Sequence, residues 1–241
     1  MNILVIAAHP DDEVLGMGGT IKKYTKNKHD VKIVIMATGI FARRSQNYQN
    51  STSYKFDKKT IKNMEIELAD LKKDCKKAAK IMGVTDVEFM DFPDNEMDTI
   101  SNLEVTKKIE LVIEHYKPSI IFTHSKYDVN VDHRVLYDAT ITATRPTSNL
   151  SIKKVISFEV PSSTEWYFPS QFSPNIFVDI NKELETKIKA LMAYKNEIRD
   201  FPHPRSVDAI RVIAKRWGTV SGLHAAEAFS LVRDINNSVP W

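Results

Sequence analysis

The chain is 241 residues long, with 34 basic and 31 acidic residues (formal net charge +3) and a hydrophobic share of 42%. That is enough apolar material for one large domain with its own core, so no disulfide or structural metal is needed to hold it. The single cysteine, Cys75, excludes an intramolecular disulfide framework and any CxxC zinc cluster, and the balanced charge, with no arginine-rich arm or aromatic ladder, argues against nucleic acid as a partner.

The N-terminus has no cationic leader, and residues 3–8 (ILVIAA) read as a buried strand rather than a signal peptide. Nothing in the chain approaches the roughly 18 apolar residues of a membrane span, so a soluble, cytoplasmic protein is expected. An amphipathic helix follows over about 12–27. A second strand over 31–38 has Val and Ile on both faces, as in a parallel sheet covered by helices. A long helix over 60–82 ends at Gly83, where a left-handed cap favours glycine. Within it Cys75 falls on the apolar stripe and reads as a core thiol. Strands are expected at 87–92 and 120–124, with a helix at 102–116 stopped before Pro118. A helix at 132–145 and a strand at 155–160 continue the alternation.

Beyond this the pattern changes. A strand at 175–180, a helix at 183–198, a rigid Phe201-Pro202-His203-Pro204 turn, a helix at 206–217 and a strand or irregular edge element at 225–235 read as a C-terminal α+β cap. The expectation is one α/β domain over 1–241: an open, mostly parallel sheet with helices on both faces, a core over 1–150 and the cap over 151–241.

In open α/β sheets ligands bind beyond the carboxyl ends of the strands. Three polar clusters fall at such ends: Ala8-His9-Pro10-Asp11-Asp12-Glu13, Thr38-Gly39 with Arg43 and Arg44, and the stretch from His124 to His133. Pro10 stiffens its turn so that His9 and Asp12 can converge, and imidazole and carboxylate are both zinc donors. As neighbours, Asp11 and Asp12 point apart, leaving one carboxylate for a metal and one for the substrate side. The same acids would also suit a helix N-terminus, which accounts for Glu13 but neither His9 nor Pro10. His133, at the start of a helix on the same rim, supplies a third donor.

With these residues in place, a family becomes visible. The segment from Ala8 through Gly16, Gly18, Gly19 and Thr20 resembles the signature of the PIG-L/LmbE-like deacetylases. Asp128-x-Asn130-x-Asp132-His133-Arg134 looks like the family's second motif. Phe92-Pro93-Asp94-Asn95 and Gly222-x-x-x-Ala226-Glu227-Ala228-Phe229 are similar to weaker landmarks. The resemblance implies a Rossmann-like fold and a mononuclear Zn2+ site, with Fe2+ a possible substitute, on His9, Asp12 and His133. It also implies Asp11 as general base in removing an N-acetyl group from an N-acetylglucosamine (GlcNAc) type sugar. An amidase on another sugar-linked amide, or a non-catalytic binding homologue, are the alternatives.

One departure stands out. Many members carry histidine where this chain has Asn130. An asparagine can donate to an oxyanion but cannot act as an acid, so the proton for the leaving amine must come from Asp11 or from another histidine, His124 or His224. His224 would act within the chain or from a neighbouring copy in a homo-oligomer. For substrate binding the sequence offers Arg43, Arg44 and Arg145 for an anionic group, Asp94 for sugar hydroxyls, and Trp166, Tyr167 and Phe168 for stacking on a ring.

Overall fold

Along the first strand, β1 (Asn2–Ala7), Ile3, Val5 and Ala7 enter one hydrophobic cluster and Leu4 and Ile6 enter another. A strand buried on both faces needs helices on both sides, and that sets the architecture. The computed structural model describes residues 1–38, 58–146, 151–169 and 171–236. After β1 come α1 (Asp12–Lys26), β2 (Asp30–Ala37), α2 (Lys58–Met82), β3 (Asp86–Phe92), α3 (Asn102–Tyr116), β4 (Ile120–His124), α4 (Val131–Ala143) and β5 (Lys154–Phe158). The C-terminal third adds β6 (Ile176–Asp179), α5 (Leu184–Leu191), α6 (Val207–Ser221) and β7 (Ala226–Asp234).

The strands form one sheet in the order β3-β2-β1-β4-β5-β7-β6. The first five are parallel, and β7 runs antiparallel to both β5 and β6. Apolar residues of α1, α2, α5 and α6 fill one face of the sheet, and those of α3 and α4 fill the other. Gly83 takes φ +91° after α2, as the cap position requires. Among the described residues no helix is long and apolar enough to cross a membrane.

Two elements differ from expectation. The segment expected as a strand or an irregular edge element is a strand, β7, but it lies inside the sheet, and β6 forms the edge. Ala226, Ala228 and Phe229 of β7 are buried, which an exposed edge would not provide. The helix expected over 183–198 ends at Leu191. The chain turns there and carries Tyr194 into the core, where it is fully buried.

Helix α1 is broken at Met17 (φ −148°, ψ 22°). A break strands a carbonyl on one side and N–H groups on the other, and both need partners when buried. Lys187 of α5 donates to the Leu15 carbonyl (2.8 Å), while the Glu227 carboxylate of β7 accepts from Gly19 and Thr20 N–H (2.9 and 2.7 Å). Lys187 and Glu227 also pair with each other at 2.7 Å. The late Ala226-Glu227-Ala228-Phe229 landmark thus splints the helix that starts at the His-Pro-Asp-Asp-Glu turn. Gly19 fits this packing because a Cβ there would come within 2.7 Å of the Ile180 side chain.

Candidate metal centre and active site

The ends of β1 and β4 bring the first and third polar clusters together. His133 Nε2 lies 3.1 Å from Asp12 Oδ2, and His9 Nδ1 lies 3.4 Å from the same oxygen. His9, Asp12 and His133 offer donor atoms within 4.8 Å of one another, a spacing at which one metal ion can be held. Their chemistry fits such an ion. Asp12 Oδ1 is buried without a hydrogen-bond partner, an arrangement that is costly unless something else satisfies it.

Each histidine is backed by a carboxylate. Asp128 Oδ2 lies 3.0 Å from His133 Nδ1, which turns Nε2 toward Asp12. Asp128 is itself held by the hydroxyls of Ser163 and Thr164 and by the Asn130 N–H. On the other side, His9 Nε2 meets Asp132 Oδ2 at 2.9 Å and Asp94 Oδ1 at 3.2 Å, leaving Nδ1 for Asp12. Such outer carboxylates fix the tautomer and aim of a ligating imidazole. His9, Asp94 and Asp132 also fall within 4.8 Å of one another. The Asp132 oxygens, however, already accept the Asn95 and Met97 N–H groups, so this second trio reads as an orienting network.

Charge follows the same logic. Burial works to lower the His133 pKa, but the Asp12 and Asp128 carboxylates outweigh it and push it up to about 9. Burial likewise opposes the charged form of His9, and its bonds to Asp12, Asp132 and Asp94 raise it well above the usual value. Burial would raise Asp12, yet the facing histidines hold it well below the ordinary carboxylate range. This pocket is built to attract positive charge.

Asp11 is separated from Asp12 by its backbone. It sits at φ 111°, ψ −26°, in the left-handed half of the map that a side-chain-bearing residue rarely occupies. Its carboxylate leaves the metal trio and accepts from Arg205 Nη1 at 2.8 Å. Arg205 also donates to Glu197 Oε2 (3.1 Å) and, through Nε, to Ser162 Oγ (2.7 Å). Arg205 was not among the residues expected at the site. The usable signal was a lone arginine between the Phe201–Pro204 turn and Ser206, the α6 cap.

The other expected residues divide. Asn130 caps α4 by accepting from the Asp132 N–H (2.8 Å), and its Nδ2 donates to Asn95 Oδ1 (3.0 Å). Asp94 faces His9 and accepts from its neighbour Asn95. His124, considered as a proton donor, is fully buried and stacked on His133 at 3.9 Å. Its Nε2 accepts the Ala8 N–H at 2.8 Å, and burial holds its pKa well below the usual value, so it supports the site as a neutral ring. Arg145 lies apart from this cluster. It stands exposed beyond Ala143, at the end of α4 opposite the turn that carries His133, and its Nε donates to the Thr142 carbonyl. His224 is also exposed, in the turn before β7, with β4 and β5 lying between β7 and β1. Arg43 and Arg44 lie outside the described residues. Trp166 and Phe168 are 46% and 81% exposed on the loop after β5, and the Trp166 ring meets His203 edge-on at 6.0 Å.

The PIG-L family, described as GlcNAc-PI de-N-acetylase, matches residues 4–144. A diacetylchitobiose deacetylase of Thermococcus kodakarensis is 28% identical over 97% of this chain and 84% of its own. Among solved structures, the N,N'-diacetylchitobiose deacetylase of Pyrococcus horikoshii aligns with a TM-score of 0.73 at 23% identity, covering 96% of this chain and 84% of that one. The 4-carboxy-2-hydroxymuconate hydratase GalB of Pseudomonas putida aligns at 0.71 with 19% identity, covering 100% and 99%. The fold therefore serves more than one reaction, and the site has to choose among them.

Proposed function

Because this chain belongs to the PIG-L family, we propose that it is a zinc-dependent N-deacetylase of GlcNAc-type amino sugars or their conjugates, acting in the cytoplasm. The observation that carries this reading is the convergence of His9, Asp12 and His133 beside a separate carboxylate, Asp11, at the carboxyl ends of β1 and β4. The nitrogen and oxygen donor set suits zinc, and it would also accept iron(II).

When bound, the metal supplies a Lewis acid that polarises the amide carbonyl and acidifies water. The chain's own residues do the rest. Asp11 takes the proton of the attacking water on its carboxylate and returns it to the leaving nitrogen, so no separate acid is required. Asn130 donates from Nδ2 to the oxyanion of the tetrahedral intermediate. An amide carries two N–H groups, and only one is needed for the bond to Asn95. Arg205 holds the Asp11 carboxylate in place. Asp128, Asp132 and Asp94 keep His133 and His9 aimed. The exposed Trp166 and Phe168 offer apolar faces to a sugar ring, and Asp94 offers an acceptor at the edge of the site.

The test is acetate release from zinc-loaded protein over free, oligomeric, phosphorylated, nucleotide-linked and thiol-conjugated N-acetylglucosamines. Acetate from at least one of them, lost on chelation and restored by metal, is the expected result. Silence across the series with metal demonstrably bound would overturn the reading.

A further inference from the structure

The general base occupies a backbone conformation that its own residue type does not favour, and something must hold it there. Glu13, two residues on, is fully buried. One of its oxygens, Oε2, accepts the Asp11 backbone N–H at 3.0 Å. The other, Oε1, accepts the hydroxyl of Tyr194 at 2.5 Å. Tyr194 is fully buried, and Cys75 lies against the same hydroxyl. The chain thus runs from the α2 core thiol through Tyr194 and Glu13 to the peptide between Pro10 and Asp11.

We infer that Glu13 is a positioning residue for catalysis, anchored by Tyr194, and that it fixes the Asp11 peptide so that adjacent carboxylates serve different tasks. Left-handed backbone at a non-glycine residue persists only where the surroundings over-determine it. At Asp11 the backbone N–H is the handle: Glu13 accepts from it while Arg205 donates to the carboxylate. If the bond to Glu13 is lost, the peptide relaxes toward an ordinary conformation and the carboxylate swings off line. Misplacement of a reacting group by about 1 Å costs on the order of a hundredfold in rate. Glu13 acts here as a hydrogen-bond acceptor, so glutamine should replace it: the amide oxygen accepts the Asp11 N–H and the amide nitrogen donates to the Tyr194 oxygen.

This inference rests on Asp11 being the base, and the experiment separates the two. In zinc-loaded protein, Glu13→Ala is expected to lower kcat about 10- to 100-fold with KM and metal content unchanged, and Glu13→Gln to restore most of it. In isotopically labelled protein the Asp11 amide resonance should stand in the strongly hydrogen-bonded range, move in Glu13→Ala, and stay nearly in place in Glu13→Gln. Unchanged kcat in Glu13→Ala, loss of metal, or a Gln variant as impaired as the Ala variant each overturns the assignment. If Glu13→Ala does not fold, Tyr194→Phe removes the anchor while keeping the ring. It should lower kcat about three- to tenfold and shift the same resonance, and an unmoved resonance would count against the inference. Full activity in Asp11→Asn would sink the general-base reading, while the amide resonance still reports whether Glu13 holds the turn.

Discussion

Asp128 stands 3.0 Å from His133 Nδ1, and its two oxygens are otherwise engaged by Ser163, Thr164 and the Asn130 N–H. The carboxylate is therefore fixed before any ligand arrives, and it fixes the ring in turn. Asp128→Asn keeps the shape but weakens the acceptor. Outer carboxylates of this kind are worth about 10- to 100-fold in metal affinity or activity. Competition with a chelating dye should show zinc binding weaker by that factor, and an unchanged affinity would leave Asp128 with a packing role only.

Arg205 touches Asp11, Glu197 and Ser162 at once, and its guanidinium keeps the Asp11 carboxylate oriented. Arg205→Ala should reduce kcat by about 10² with bound metal unaffected, in the range that loss of acid–base function produces. Arg205→Lys should recover only part, because a single ammonium cannot span three partners as the planar fork does. Steady-state kinetics on the two variants, alongside metal analysis, decide the matter.

The Lys187–Glu227 pair is buried and closes the break in α1. Removing one partner leaves an uncompensated charge, which costs about 3–5 kcal/mol. Glu227→Ala and Lys187→Met should each lower the unfolding midpoint sharply in a denaturant titration. The double variant should lose less than the sum of the two, since neither charge is then stranded.

Burial pushes the Glu159 carboxyl up to about 7 from 4.5, although the Trp217 indole N–H and the charges of Lys187 and Arg216 pull it down. The folded state therefore binds this proton more tightly than the unfolded chain does. The stability linked to it is full below about pH 4.5, declines between 4.5 and 7, and stays reduced above 7. Glu159→Gln keeps the oxygen that accepts the indole N–H and removes the charge. It should stabilise the protein at pH 8, on the order of 1–3 kcal/mol, and leave it unchanged at pH 4. Thermal unfolding across that range measures it, and a pH-independent difference would rule the mechanism out.

The chain's own pattern determined more than its fold class. Near-continuous apolar runs at residues 3–8 and 31–38, glycine at 83 and the stop before Pro118 are local signals, and strands, caps and helix ends follow from them directly. The pairing of His9 with Asp12 was legible for the same reason: a proline turn at a strand end confines both to one place. What the tertiary structure alone decided depends on contacts across the sequence. Arg205 reaches Asp11 across 194 positions, Tyr194 reaches Glu13 across 181, and Glu227 reaches Gly19 across 208. No periodicity spans such distances. They arise because β7 inserts between β5 and β6 and the chain after α5 folds back, bringing the C-terminal third against the first turn. Asn130 shows the division in one residue: its departure from the family pattern was plain in the sequence, but its amide's engagement with Asp132 and Asn95 came only with the fold.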